Sequence, residues 1–158
     1  EKRIRFSSIQ NMIERYSRKE IREIWLDKNR YSLWLKIEIA AAEAMEIYGI
    51  IPKGVVRKIK TKSNINVEKI LKLEGKLRHD VIAFLTSIIE KVGKEASFLH
   101  KGMTSSDILD TCFNIQLKQS GLIISKDIEI LLSDSASPAL ITDPDQDGVI
   151  FVLMPMRV

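Results

Sequence analysis

The run Arg78-His79-Asp80-Val81-Ile82-Ala83-Phe84 sets a cation, an imidazole and a carboxylate side by side where an apolar helical repeat begins. Farther along, His100-Lys101-Gly102-Met103-Thr104-Ser105-Ser106-Asp107 gathers three hydroxyls ahead of a long helical repeat. Imidazole titrates closest to neutral pH, so His79 suits a general acid or the partner of one. The bland alternative is a capping histidine, since adjacent helical residues such as Arg78 and Asp80 point in different directions. Thr104 and Asp107 have the spacing of a capping box. Gly102 lets the backbone approach a ligand closely, and a helix N-terminus beside hydroxyls binds carboxylate or phosphate. His100, just upstream, can join either role. At Arg15-Tyr16 a guanidinium matches phosphate oxygens bidentately and a phenol adds a donor, although such a pair at a domain edge is commonly just solvated. Two sites rich in anion-gripping groups point to an enzyme pocket more than to a bare structural bundle.

Helices must position these groups. Ser17-Arg18-Lys19-Glu20 has the form of a capping box ahead of Ile21, Ile24 and Trp25. A second helix is predicted from about Arg30 to Tyr48, with Leu33, Trp34, Ile37, Ala41, Ala44 and Met45 as its apolar stripe and Gly49 as its C-terminal cap. Pro52 opens the next short helix, and Asn66 caps another over Val67 to Leu73. Leu77, Val81, Leu85, Ile88 and Val92 mark a helix stopped by Gly93. The last helix starts near Ser106 and is expected to run through Ile115, Leu122, Ile128 and Leu131. No alternating strand is read before residue 133, so this part is all-α. Trp25, Trp34 and Phe84 read as core residues and not as ligand stackers. After Ser133 the period is lost, lysines stop, and an irregular tail is expected.

Composition narrows the classes. At 158 residues with 45% hydrophobic and 29% charged content, the chain can build one domain with a real core. The net charge of +4 is spread along the chain and no nucleic-acid-binding motif accompanies it, so no nucleic-acid partner is expected. Cys112 is the single cysteine, which excludes an intrachain disulfide and a cysteine metal cluster. With two histidines and no HExxH spacing, no zinc site is expected. No apolar run approaches the ~20 residues that span a bilayer, and the charged start lacks a signal-peptide core. The expectation is a cytoplasmic protein with no membrane partner. Asp143-Pro144-Asp145-Gln146-Asp147-Gly148 matches the first half of a calcium loop, but Met154 stands where a bidentate glutamate belongs.

Taken together, Met12-Ile13-Glu14-Arg15-Tyr16-Ser17-Arg18, Arg78-His79-Asp80-Val81-Ile82-Ala83-Phe84 and Gly102-Met103-Thr104-Ser105-Ser106-Asp107 resemble the adenylosuccinate lyases of the fumarase/aspartase superfamily. The resemblance runs from about Met12 to Leu132, and Met12 resembles the family's initiator. It implies an all-α fold: an N-terminal helical domain over residues 12–105 and the start of a long central-bundle helix over 106–133. Residues 1–11 then read as an upstream extension and 134–158 as a tail foreign to the family. The implied reaction is β-elimination of fumarate from adenylosuccinate to give AMP, and from the succinylated carboxamide intermediate of purine synthesis, with no cofactor and no metal.

The resemblance implies roles residue by residue. Arg15 and Tyr16 match positions that bind the substrate near the nucleotide. Arg78, His79 and Asp80 match the family's Arg-His-Asp segment, whose histidine is implicated in the acid–base step. Thr104 and Ser105 match hydroxyls that hold a substrate carboxyl group, and His100 resembles a histidine close to the phosphate. The family's Gly-Arg-x-His-Gly segment with the acid histidine is absent from this sequence, as is the Ser-Ser-x-Met-Pro loop with the base serine. In the family each site is assembled from three subunits of a homotetramer, so a truncated or frame-shifted, inactive lyase is expected. The alternatives are another superfamily lyase or a cycloisomerase, and a non-catalytic helical interaction module with a weakly calcium-loop-like tail.

Overall fold

The computed structural model describes residues 16–127, 129–131, 139–142 and 150–153. Arg15, the proposed extension over residues 1–11 and the calcium-loop-like Asp143–Gly148 lie outside the described residues. Six α-helices are described: α1 (Lys19–Trp25), α2 (Asp27–Ile47), α3 (Val55–Lys62), α4 (Val67–Leu77), α5 (Asp80–Val92) and α6 (Ser105–Asp127), with a 3-10 helix over Lys94–Phe98. The all-α class read from the sequence holds. The chain divides into two compact units, Glu1–Gln116 and Leu117–Val158, with the boundary inside α6.

The core of the first unit is built on α2. Tyr31, Trp34, Glu38 and Ala42 are fully or almost fully buried, and their spacing of three, four and four residues traces one helical face. Tyr31 and Trp34 meet edge-on at 5.2 Å, Trp34 meets Phe84 edge-on at 5.5 Å, and Tyr31 stacks on Phe84 at 6.2 Å. Such ring geometries add to the area term, and truncating Phe84 to alanine is expected to cost about 3–5 kcal/mol. The Arg30 guanidinium lies 4.8 Å from the Tyr31 ring centre and pairs with the buried Asp27 at 3.1 Å. Ile59 from α3, Ile70 from α4, Val81 and Ile88 from α5, and Ile108 and Cys112 from α6 belong to the same cluster.

Three local expectations need correction. The N-cap of α1 is Arg18, not Ser17, and the Arg18 side chain makes no capping hydrogen bond. Extended backbone at Arg18 delays the helix by one residue, and Glu20 instead pairs with the Arg18 guanidinium at 3.3 Å. Within the α2 stripe Ala44 is exposed, and Ala42 takes the buried position. At the far end, α6 stops at Asp127 and Glu129–Leu131 is strand, because Ile128-Glu129-Ile130 alternates apolar and polar at period two.

The second unit therefore contains sheet where an irregular tail was expected. Strand β1 (Glu129–Leu131) pairs antiparallel with β2 (Ala139–Thr142), which pairs antiparallel with β3 (Ile150–Leu153). The register sets Ile130 opposite Ile141 and Leu140 opposite Val152. β-Branched and aromatic residues such as Ile141, Ile150, Phe151 and Val152 suit this pleated surface.

Candidate functional site

The Arg78-His79-Asp80 segment is the junction of α4 and α5. Arg78 closes α4 as a left-handed residue, φ 57° and ψ 26°, with its amide bonded to the Glu74 carbonyl at 2.8 Å. His79 is extended and caps α5: its Nδ1 accepts from the Ile82 amide at 3.3 Å. The capping reading of this histidine is thus correct, and it has a chemical corollary. A ring whose Nδ1 accepts carries its proton on Nε2, the nitrogen that can face a ligand. Asp80 Oδ1 accepts from the Val81 amide at 2.7 Å, which suits a carboxylate in a first helical turn. Both side chains remain about two-fifths exposed.

The second segment enters α6. Gly102 adopts φ +72° with open space where a Cβ would project, so the backbone conformation alone selects glycine there. The Asp107 carboxylate accepts from the Thr104 amide at 2.7 Å and from the Thr104 hydroxyl at 3.2 Å. This is the returning half of a capping box, as the spacing predicted. It leaves the amides of Ser105 and Ser106 at a helix N-terminus, beside the half-buried Ser105 hydroxyl, without partners among the described residues. That is the arrangement to which carboxylates and phosphates bind.

His100 stands apart from the other candidates. It is left-handed, φ 61°, and its amide donates to Glu38 Oε2 at 2.6 Å while its Nδ1 lies 2.8 Å from Glu38 Oε1. Glu38 is completely buried in α2, while the His100 side chain is about one-fifth exposed. Sequence reasoning missed Glu38. The signal was present, since position 38 is a carboxylate inside the apolar face that runs through Tyr31, Trp34 and Ala42.

Placement of the remaining candidates is uneven. Tyr16 is three-quarters exposed, ahead of α1. No hydrogen bond or ion pair among the described residues joins the Arg78–Asp80 group to the His100–Asp107 group. Each is held by its own neighbours: Ile82 and Val81 for the first, Glu38 and Asp107 for the second. A groove of about 750 Å³ against α2 and α3 includes Glu43, Glu46, Arg57 and Lys60 but none of the candidates. Its acids are engaged internally. Glu46 accepts from the Gly54 and Val56 amides at 3.0 and 2.9 Å, and those bonds, that of Val56 foremost, hold its carboxyl below the usual range. Among the described residues no group of three His, Cys, Asp or Glu side chains could hold a metal ion. No helix among them is long and apolar enough to cross a membrane.

Only two non-glycine residues among those described have positive φ, and they are Arg78 and His100. A left-handed residue with a Cβ costs about 1 kcal/mol, and such conformations cluster where a fixed side chain is needed. Both polar segments thus carry one.

No protein-family model matches the chain. It is 43% identical over 128 residues to an adenylosuccinate lyase of Streptococcus mutans serotype c (strain ATCC 700610 / UA159), a match covering 81% of this chain and 30% of that protein. The chain thus spans under a third of the length of this curated relative. A crystal structure of a fumarate lyase from Mesorhizobium sp. BNC1 shares the fold, with a TM-score of 0.63 and 23% identity over 68% of this chain and 26% of that one. By sequence this chain is related to the adenylosuccinate lyases, of which it spans a part, and it shares its fold with a fumarate lyase.

Proposed function

We propose that this chain supplies part of an adenylosuccinate lyase site, a carbon–nitrogen lyase that releases fumarate from adenylosuccinate and from the succinylated carboxamide intermediate of purine synthesis. The observation that carries the reading is that Arg78 and His100, one in each polar segment, are the strained non-glycine residues of the described chain. The turn at Arg78 also ends α4, but a left-handed residue held from the core, as at His100, is of the kind that clusters at sites.

In this reading His79 works through Nε2, since Nδ1 is engaged in capping α5. It exchanges a proton at the reacting centre, the acid–base role that the family resemblance assigns to it. Arg78 and Asp80 orient the substrate on either side of that ring. Thr104 and Ser105, with the free amides at the start of α6, hold a succinyl carboxylate as it gains charge density during elimination. His100 faces the nucleotide phosphate, and Arg15 and Tyr16 complete the nucleotide end.

The domain assignment proposed with it is 12–105 for the helical domain, with α6, which ends at Asp127, as the entry into a bundle shared by a cytoplasmic homotetramer. The sequence contains neither the acid-histidine segment nor the base-serine loop of the family. The 158-residue chain alone is therefore expected to leave adenylosuccinate unchanged.

A chimera tests the reading. Residues 12–127 would replace the matching segment of the Streptococcus mutans enzyme, and adenylosuccinate and argininosuccinate would be assayed in parallel. Turnover of adenylosuccinate alone is expected, with His79→Gln slowing it about 10²–10⁴-fold as loss of a general acid or base does. A fully active His79→Gln chimera would refute the assignment.

A further inference from the structure

We propose that Glu38 is the positioning residue of the ligand-facing His100, an inference that rests on the reading above for the nature of the ligand, a nucleotide monophosphate. A carboxylate buried completely in the middle of a helix is costly unless its oxygens are satisfied. Both oxygens of Glu38 are spent on a single residue. Oε2 takes the His100 amide at 2.6 Å and Oε1 takes Nδ1 at 2.8 Å.

The two bonds do different things. The amide bond holds the backbone at φ 61°, a conformation uncommon for a residue with a Cβ. The ring bond fixes which nitrogen is inside. An ionised carboxylate is an acceptor only, so Nδ1 must carry a proton and donate it. Nε2 is then the outward nitrogen, and it has no partner among the described residues. It offers a lone pair in the neutral ring and an N–H in the cation, and the cation meets a phosphate oxygen with a charge-assisted bond. Local capping does not supply this, because the hydrogen bond described at its ring comes from 62 positions away. A buried acid that sets the tautomer and aim of an imidazole is a recurring device in sites of many folds.

The chain has only two histidines, which makes the test direct. Long-range ¹H–¹⁵N spectra of the 158-residue protein labelled at histidine nitrogen would report the protonation of all four ring nitrogens, with a His79→Gln variant for assignment. The expected result is a protonated Nδ1 at His100, and a shift of its Nε2 resonance on addition of AMP. In Glu38→Gln the His100 amide N–H claims the amide oxygen, so the NH2 group meets Nδ1 and the proton is expected to move to Nε2. AMP affinity read from the same titration should fall about tenfold, the loss of one charge-assisted hydrogen bond. Circular dichroism checks that the variant is folded.

A neutral His100 with its proton on Nε2 in the unsubstituted chain would overturn the inference even if no variant folds. So would a Glu38→Gln protein that is folded, inverted in tautomer and undiminished in AMP binding. A protonated Nδ1 with no response of either histidine to AMP would instead overturn the nucleotide reading, leaving the pairing itself intact.

Discussion

The turns at Arg78 and His100 have nearly the same φ, 57° and 61°, and opposite supports. At Arg78 the left-handed residue ends one helix, its amide bonds to the carbonyl of Glu74 four residues back, and its side chain is exposed. At His100 the left-handed residue is tied through backbone and ring to a carboxylate buried 62 positions earlier in the sequence. The first turn is a local product of helix termination. The second is imposed by tertiary structure. Where a strained conformation is local, its strain can be relieved without consequence for the fold; where it is anchored in the core, the fold depends on it.

The sharpest way to break this comparison is to place glycine at both turns. Glycine adopts positive φ freely, so a purely local turn gains stability from it. His100→Gly is nevertheless expected to destabilise the protein by about 3 kcal/mol, because it strands a buried carboxylate that loses its ring partner. Arg78→Gly is expected to stabilise by about 1 kcal/mol, the strain it relieves. Urea unfolding of the two variants measures both, and equal signs would end the contrast. In the chimeric enzyme Arg78→Gly should still cost activity, since it removes the guanidinium along with the strain.

Asp107→Ala sharpens the comparison at the next scale. Its carboxylate holds the Thr104 amide and hydroxyl across three residues, a local clamp on the same loop that Glu38 holds from afar. A loss of about 1 kcal/mol is expected, as for other helix caps, well below that at His100. Thermal unfolding would show it, and a loss equal to that of His100→Gly would mean that the loop is clamped locally after all.

Glu46 provides a half-buried counterpart. Its carboxyl is held below the usual range first by the Val56 amide and then by the Gly54 amide. A carboxyl lowered on folding stabilises the native state above its unfolded pKa, and that contribution disappears as the pH falls through the lower, folded value. A small decline in melting temperature is therefore expected on acidification through the carboxylate range, less steep in Glu46→Gln. Identical profiles for the two proteins would remove Glu46 from the account.

Much of the helical unit was legible because its signals are local. Asn66 caps α4 by accepting from the Lys69 amide at 2.9 Å, Gly93 ends α5 and Asp107 caps α6, each where spacing and residue type had put it. The failures follow from competition that a local pattern does not contain. Ser17 lost its cap to the extended backbone of Arg18, and the end of α6 lost to the β-preference of Ile128-Glu129-Ile130. The residues chosen for chemistry were found by type, yet the tautomers that decide what His79 and His100 can do depend on Ile82 and Glu38. The first of these partners is three residues away and can be inferred from a capping position. The second is on another helix, and only a charged residue on an apolar face pointed to it.

The distance of Glu38 from His100 along the chain also bears on the order in which the molecule assembles. A link across 62 positions closes only after the loop between them has folded or been gathered, and closing long loops carries an entropic cost that local turns avoid. The Arg78 turn is expected to form with its helices, early, and the imidazole of His100 to lock late. A ligand gripping that ring would then act mainly as a brake on unfolding and leave the refolding rate nearly unchanged. Stopped-flow refolding and unfolding with and without AMP would read this directly, and an accelerated refolding limb would place the link among the early events.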